Sequence, residues 1–172
     1  MATGLENLEG LRVLDVGCGQ GNCLEFLTHH FNPEEALGID TSGRQIATAK
    51  SLAIASENAS HLFFMQADAT TMAQTLRAER RYDLILCIES WNMLDDHLRF
   101  LHQARELLNQ TNEQDQAPSM KVQAKHRLVI ADVFNRQQDE QVRQMLDQYF
   151  QIEEDLDFTV NVKKSGIKEL DR

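Results

Sequence analysis

The sequence predicts an α/β fold, a Rossmann-like, doubly wound and mainly parallel sheet of about six strands with helices on both faces. Short apolar runs alternate along the chain with stretches whose apolar residues recur at helical spacing, the pattern of consecutive β-α-β units. The first apolar run, 11–16, is followed by a glycine-rich turn and then by a helical stretch. A turn of this kind after the first strand is typical of parallel α/β proteins that bind a ligand at their strand ends.

The predicted elements cover most of the chain. The strands are 11–16, 36–40, 61–66, 82–88, 127–134 and 151–158. Helices are predicted behind the glycine turn, after the capping residue Ser42, and at 71–77, 95–108 and 139–150. Residues 109–126 are polar and include Pro118, which favours a mobile surface loop. We expect residues 1–172 to form a single domain, because domains usually contain about 100–200 residues.

Composition and charge narrow the range of functions. The net charge of −10 disfavours a nucleic acid partner, because affinity for a phosphate backbone comes largely from cationic side chains. No apolar run approaches the ~20 residues that a membrane span requires, and residues 1–6 lack the pattern of a signal peptide. We therefore expect a cytoplasmic protein without a membrane span.

The cysteines and histidines indicate neither a disulfide framework nor a metal site. The cysteines are three in number and contain no Cys-x-x-Cys pair, and the six histidines include no i, i+4 pair on a helix. Cys18 and Cys87 are expected to be small buried packing residues.

Glycines and carboxylates follow the first three predicted strands, at the ends where such sheets bind ligands. In the turn after the first strand, missing Cβ atoms allow a tight bend and the close approach of a ligand. The residues of this turn that we assign to the site are Asp15, Gly17, Cys18, Gly19 and Gly21. Asp40, about 20 residues further on, is placed to accept hydrogen bonds from a ribose diol, with Thr41 beside it. Asp68 is placed to bind the amino group of an adenine, with the backbone of Ala69 at the ring edge.

Three alternatives compete with a single-adenosine site. A dinucleotide site is disfavoured because the G-x-G-x-x-G spacing needs a third glycine where this chain has Asn22. It is also disfavoured because Asp15, Asp40 and Asp68 would repel a pyrophosphate, whereas they complement a sulfonium and an ammonium. The turn alone would also suit a strand-to-helix connection without a ligand, and Asp68 alone would suit a helix cap. The combined charge favours S-adenosylmethionine as the cofactor.

Several segments carry a resemblance to a known family. In order and spacing, the segments 13–21, 38–40, 66–69 and 82–85 resemble the successive motifs of class I S-adenosylmethionine-dependent methyltransferases. The segments 87–90 and 128–132 are similar to the branch that methylates small molecules such as sugars, quinones and sterol-like acceptors. The resemblance runs from about residue 11 to residue 162.

The resemblance implies a role for each part of the cofactor site. It assigns the methionyl part to Asp15 and the glycine turn, the ribose to Asp40, and the adenine to Asp68 with Ala69. It further implies that the pocket is closed near the sulfonium by three consecutive residues, which are Ile88, Glu89 and Ser90.

Methyl transfer needs an aligned acceptor and at most one base. Asp132 matches a position that faces the acceptor in relatives, so it is our first candidate for the base, with a turn residue as the alternative. Many relatives have a histidine where this chain has Met93. His97 is the second candidate, although a histidine at a helix start is often a solvated surface residue. Trp91 and Met93 are expected to pack over the cofactor cleft.

Small-molecule methyltransferases usually have a helical segment before the first strand, and further helices with a seventh strand after the sixth. These pieces commonly form a lid over the acceptor, whereas this sequence runs from a first strand at Leu11 to Arg172. We expect that a partner subunit or homodimer completes the lid, that the sequence is a shortened form, or that activity is weak. The leading hypothesis is a small-molecule methyltransferase, and the alternatives are a non-catalytic cofactor-binding scaffold and a protein methyltransferase that needs a partner.

Overall fold

The computed structural model of the protein describes residues 8–56, 59–76, 81–108, 127–148 and 150. The strands are β1 (Arg12–Val16), β2 (Glu35–Asp40), β3 (Leu62–Gln66), β4 (Leu84–Ile88) and β5 (Arg127–Ala131). The helices are α1 (Asn22–Phe31), α2 (Gly43–Ile54), α3 (Met72–Thr75), α4 (His97–Leu107) and α5 (Arg136–Leu146), with a 3-10 turn at Trp91–Met93.

All pairs in the sheet are parallel, and the strand order is β3-β2-β1-β4-β5. The predicted α/β class and the parallel sheet are therefore confirmed. Five of the predicted strands are present in the described part of the chain, while the sixth, at 151–158, and the predicted loop at 109–126 lie outside the described residues. Because the chain moves outward from β1 to β3 and then crosses back to β4, the strand order reverses between β1 and β4.

Helices cover both faces of the sheet, as predicted. On one face, Leu24 of α1 and Ile46 of α2 belong to the same buried cluster as Val13 of β1. On the other face, Leu101 of α4 and Met72 of α3 pack in the same buried cluster as strand residues. Successive strand residues alternate between the two clusters, because side chains of a strand point to opposite faces of the sheet. The chain thus builds two apolar layers around a buried sheet.

β4 begins at Leu84, two residues later than the sequence predicts, because the backbone of Tyr82 pairs with the end of α4 rather than with a neighbouring strand. The Tyr82 N–H donates to the Leu107 carbonyl at 2.9 Å, and the Tyr82 side chain is fully buried. The Asp83 carboxylate accepts the Arg12 N–H at 2.8 Å. Residues 82–83 therefore join the sheet to the end of α4.

Two helix boundaries differ from the predictions because capping residues decide where the helices begin. α4 starts after Asp96, whose carboxylate accepts the Arg99 N–H at 2.9 Å. α5 starts three residues before the predicted position, because Asn135 and Gln138 form a reciprocal capping box. β5 ends at Ala131 rather than at Phe134, and Asp132 begins the connection to α5.

Among the described helices, none has the length and apolar character that crossing a bilayer would require.

Candidate functional site

The carboxyl ends of β1 and β2 hold the glycine turn. The N–H groups of Gly17 and Cys18 donate to the Ile39 carbonyl at 2.8 and 3.0 Å. The Gly19 N–H donates to Asp40 Oδ2 at 3.0 Å. Apart from its two chain neighbours, the only described atom within 4 Å of a Cβ built on Gly19 is Gln45 Nε2, at 3.9 Å. Hydrogen bonds to the end of β2 therefore fix the turn, while Gly19 leaves room for a ligand to approach the backbone.

The underside of the turn rests on a serine that follows β4. Ser90 is 2% exposed and donates its hydroxyl to the Val16 carbonyl at 2.7 Å. A Cβ on Gly17 would lie 2.4 Å from the Ser90 Cβ, so only glycine fits there without displacement. Ser90 thus supports the turn at the point where the strand order reverses, and its predicted contact with the cofactor stays a prediction.

Other site residues near Ser90 differ in exposure. Glu89 is exposed, has a left-handed backbone with φ 53°, and donates its N–H to the Ala131 carbonyl at 2.7 Å. Ile88 is half-buried. Cys18 and Cys87 are buried and unpaired, and burial is the main cause that raises the pKa of each thiol to about 12. Both thiols therefore stay protonated and pack as small apolar groups.

Asp15 is the buried acid of the site. It is 3% exposed, and burial, followed by repulsion from Asp40, raises the pKa of its carboxyl to about 7. No positive charge of the described residues contributes to this balance. A buried carboxyl next to a second acid is an environment that a cationic ligand relieves. The residues present therefore fit the sulfonium and ammonium groups of S-adenosylmethionine.

Asp40 connects the turn to the start of α2. Its Oδ2 accepts the Gly19 N–H, and its Oδ1 accepts the Ser42 N–H at 2.8 Å. Each carboxylate oxygen keeps a second lone pair, which suits the two hydroxyls of a ribose. Thr41 is exposed, and its carbonyl accepts a hydrogen bond from the Gln66 side chain at 2.9 Å.

Asp68 forms a turn of its own after β3. Its Oδ1 accepts hydrogen bonds from the N–H and the hydroxyl of Thr70, at 2.7 and 2.8 Å. The backbone hydrogen bond from Thr70 is the largest cause that lowers the pKa of the Asp68 carboxyl, so this carboxyl is ionised at neutral pH. The residue at the N-cap of α3 is Thr71. Asp68 therefore does not cap this helix, which was the alternative role that the sequence allowed for it. Ala69 is 7% exposed.

The ends of β4 and β5 are connected by Asn92 and Asp132. The Asn92 N–H donates to Asp132 Oδ2 at 3.0 Å, and the Asn92 amide donates to Asp132 Oδ1 at 2.9 Å. The Val133 N–H also donates to Oδ1, at 2.7 Å. Asp132 is therefore a turn residue with three hydrogen bonds, and its role as a base stays a prediction.

His97 stacks on Trp91. The two ring centroids are 4.4 Å apart, and His97 Nε2 lies 3.0 Å from the Trp91 carbonyl. Because a carbonyl only accepts, Nε2 carries the hydrogen, which leaves Nδ1 as the acceptor in the neutral ring. His97 is half-buried rather than a freely solvated surface residue. Trp91 is 2% exposed and belongs to the core, whereas Met93 is 73% exposed.

The sequence did not indicate three contacts around the site, although the six residues that form them lie in or beside predicted elements. They are the packing of Ser90 under Gly17, the pair formed by Asn92 and Asp132, and the hydrogen bond from Arg99 to the Thr70 carbonyl. Each contact joins segments that are far apart in the chain, so local spacing carries no signal for it.

Comparison with known proteins places this chain in a family. The profile of the family described as methyltransferase domain matches residues 13–111. The ubiquinone biosynthesis O-methyltransferase of Rhodopseudomonas palustris is 34% identical over 110 residues, which cover 64% of this chain and 40% of that protein. The corresponding protein of Azorhizobium caulinodans is 32% identical over 108 residues, or 63% of this chain and 40% of that protein.

Solved structures share the fold. A structure of the StiE O-MT has a TM-score of 0.60 and 22% identity, covering 81% of this chain and 44% of that one. A methyltransferase from Thiobacillus denitrificans in complex with S-adenosylhomocysteine has a TM-score of 0.50 and 24% identity, covering 62% of this chain and 41% of that one. The chain belongs to the methyltransferase domain family, and the resemblance to class I S-adenosylmethionine-dependent methyltransferases is confirmed. It spans 40% of the length of the curated relatives named above.

Replacing Gly17 by alanine tests the support of the turn. Gly10 and Gly17 share a φ of +76°, but nothing lies within 4 Å of a Cβ on Gly10. Gly17→Ala is expected to lower the free energy of unfolding by about 2–4 kcal/mol, because overlap with Ser90 adds to backbone strain. Gly10→Ala is expected to cost about 1 kcal/mol from strain alone. Urea unfolding followed by fluorescence of the buried Trp91 measures both, and equal losses would show that the Ser90 contact has no energetic weight.

Replacing Asp15 by asparagine tests the buried charge. Since the folded-state pKa is raised to about 7 from 3.8, the stability associated with protonated Asp15 is complete below about pH 4. That stability is lost as the pH rises towards 7. Asp15→Asn is therefore expected to be more stable than the wild type at pH 8, by roughly 2–4 kcal/mol, with the difference vanishing near pH 4. Chemical unfolding at both pH values provides the measurement.

Exposed Asp95 provides the control for this experiment. Asp95→Asn should leave the difference between the two pH values as it is in the wild type. A wild type and an Asp15→Asn variant with the same pH profile would contradict the buried-acid interpretation.

Proposed function

We propose that the chain binds S-adenosylmethionine and catalyses the transfer of its methyl group to an oxygen, nitrogen or carbon atom of a small-molecule acceptor. The observation that carries the proposal is the buried Asp15 carboxyl beside Asp40 at the glycine turn. A sulfonium or ammonium relieves this repulsion, whereas the pyrophosphate of a dinucleotide would increase it. Membership in the methyltransferase domain family supports the same ligand.

The strand ends supply a place for each part of the cofactor. The glycine turn at 17–21 and Asp15 hold the methionyl part, since the turn is open at Gly19 and Asp15 favours a cation. Asp40, with Thr41 next to it, holds the ribose through lone pairs that its backbone donors leave available. Asp68 holds the adenine amino group through Oδ2, because Thr70 occupies Oδ1, and the Ala69 backbone pairs with the ring edge.

The sulfonium lies near the residues that follow β4. Ile88 and Glu89 lie at the carboxyl end of this strand, and Ser90 contributes by holding Gly17 in place. S-adenosylmethionine supplies an activated methyl group, so the protein has to align the acceptor and exclude competing water.

Asp132 and His97 are the proposed groups for removing a proton from the acceptor. Asp132 already accepts three hydrogen bonds, two at Oδ1 and one at Oδ2, so one lone pair, on Oδ2, remains to take a proton. In the neutral form of His97, Nδ1 is available as an acceptor, because Nε2–H is directed at the Trp91 carbonyl. The geometry therefore favours His97 as the proton acceptor and Asp132 as the group that holds the turn.

A small apolar acceptor is consistent with the side chains at the ends of β4 and β5. Met93 is 73% and Val133 is 78% exposed, and each follows a residue of the Asn92–Asp132 pair. The two curated relatives named above are O-methyltransferases of ubiquinone biosynthesis. We propose that a second copy or a partner subunit covers this surface. A fold neighbour from Haloferax volcanii was solved as a complex with the Trm112 methyltransferase activator.

Calorimetric titration with S-adenosylmethionine and S-adenosylhomocysteine tests the cofactor. The wild-type protein is expected to bind both ligands, and Asp40→Ala to weaken binding about 10–100-fold, because it removes hydrogen bonds to a charged acceptor. Asp95→Ala, at an exposed position away from the glycine turn in sequence, serves as the matched control and should leave the affinity within about twofold. Failure of the pure wild-type protein to bind, or unchanged binding by Asp40→Ala, would refute the assignment.

A further inference from the structure

The first turn of α4 contacts the loop that follows β3. Arg99 Nε donates to the Thr70 carbonyl at 2.9 Å. The Arg99 backbone N–H is itself fixed by the Asp96 carboxylate at 2.9 Å. The backbone of Arg99 is therefore fixed at the helix start, and its exposed guanidinium is held by the hydrogen bond to the Thr70 carbonyl.

The residue that Arg99 holds is the one that orients Asp68. Thr70 donates both its N–H and its hydroxyl to Asp68 Oδ1, which leaves Oδ2 available to a ligand. Hydrogen bonds from Thr70 lower the pKa of the Asp68 carboxyl, and the charge of Arg99 adds to this effect. The hydrogen bonds thus run in series from Arg99 to Thr70 and from Thr70 to Asp68.

We propose that Arg99 is a positioning residue that fixes Asp68 and thereby sets the preference of the site for adenine over other purine bases. This inference rests on the proposed function, in which Asp68 accepts the exocyclic amino group. An amino group donates to a carboxylate, whereas the carbonyl at the same position of hypoxanthine presents a lone pair and is repelled. The discrimination therefore depends on how firmly the Asp68 carboxylate is directed at the base.

A plain structural role predicts a different outcome. If Arg99 only attached α4 to the loop after β3, its removal would weaken every ligand of the site equally, or would lower stability alone. A positioning role predicts a selective loss for the ligand whose base donates to Asp68. Discrimination between bases is consequently the readout that separates the two roles.

The experiment uses the full chain and two ligands, S-adenosylhomocysteine and its hypoxanthine analogue S-inosylhomocysteine. Dissociation constants are measured by calorimetry for the wild type, Arg99→Gln and Arg99→Lys, with the melting temperature of each variant recorded. Arg105→Gln is the matched control, because Arg105 is an exposed arginine near the other end of α4. Asp68→Asn, alone and combined with Arg99→Gln, completes a double-mutant cycle.

The wild type is expected to prefer the adenine ligand. Arg99→Gln should bind S-adenosylhomocysteine about tenfold more weakly, with little change for the hypoxanthine analogue, and should add little to Asp68→Asn. Arg99→Lys should recover part of the preference, because it keeps the charge near Asp68 but lacks the Nε donor. Arg105→Gln should behave as the wild type.

Two results would overturn the inference while leaving the cofactor assignment intact. One is an unchanged affinity of Arg99→Gln for S-adenosylhomocysteine, and the other is an equal loss for both ligands. Absence of binding by the wild type would instead refute the proposed function, and the inference with it.

Discussion

The burial of Asp15 beside Asp40 is the interaction on which the chemistry of this site depends. Asp15 lies within β1, so its carboxyl is fixed by the sheet and has little freedom to move away from the second acid. Ionisation in this place is unfavourable without a cation, and the pKa of the carboxyl rises to about 7. A site of this kind sacrifices some stability of the free protein for affinity toward a positively charged ligand.

The surrounding fold keeps the acids and the glycine turn in register. The turn is fixed to β2 through the Ile39 carbonyl and to β4 through Ser90, so the ends of three neighbouring strands determine its shape. The first turn of α4 joins the two sides of the site, because His97 contacts Trp91 and Arg99 contacts the Thr70 carbonyl. The loop that follows β3 and the segment that follows β4 are thereby connected through one helix.

The sequence predicted the features that depend on local order along the chain. A parallel sheet brings residues at successive strand ends together, so the glycine turn, Asp40 and Asp68 were readable from their positions after apolar runs. The packing of Ser90 on Gly17 and the contact of Arg99 with Thr70 were not readable, because they depend on how distant segments meet. The predicted start of α5 was wrong for a different reason, because the capping residues Asn135 and Gln138 that set it are visible in the sequence.

Carbon-13 NMR titration of the Asp15 side-chain carboxyl, with and without S-adenosylmethionine, tests the central claim most directly. Asp15→Asn identifies the signal. The buried-acid account predicts a pKa of about 7 in the free protein. It predicts a value lower by about 1–3 when the cationic ligand is bound. An Asp15 carboxyl that titrates near its ordinary value in the free protein, or whose pKa is unchanged by a bound ligand, would contradict the account.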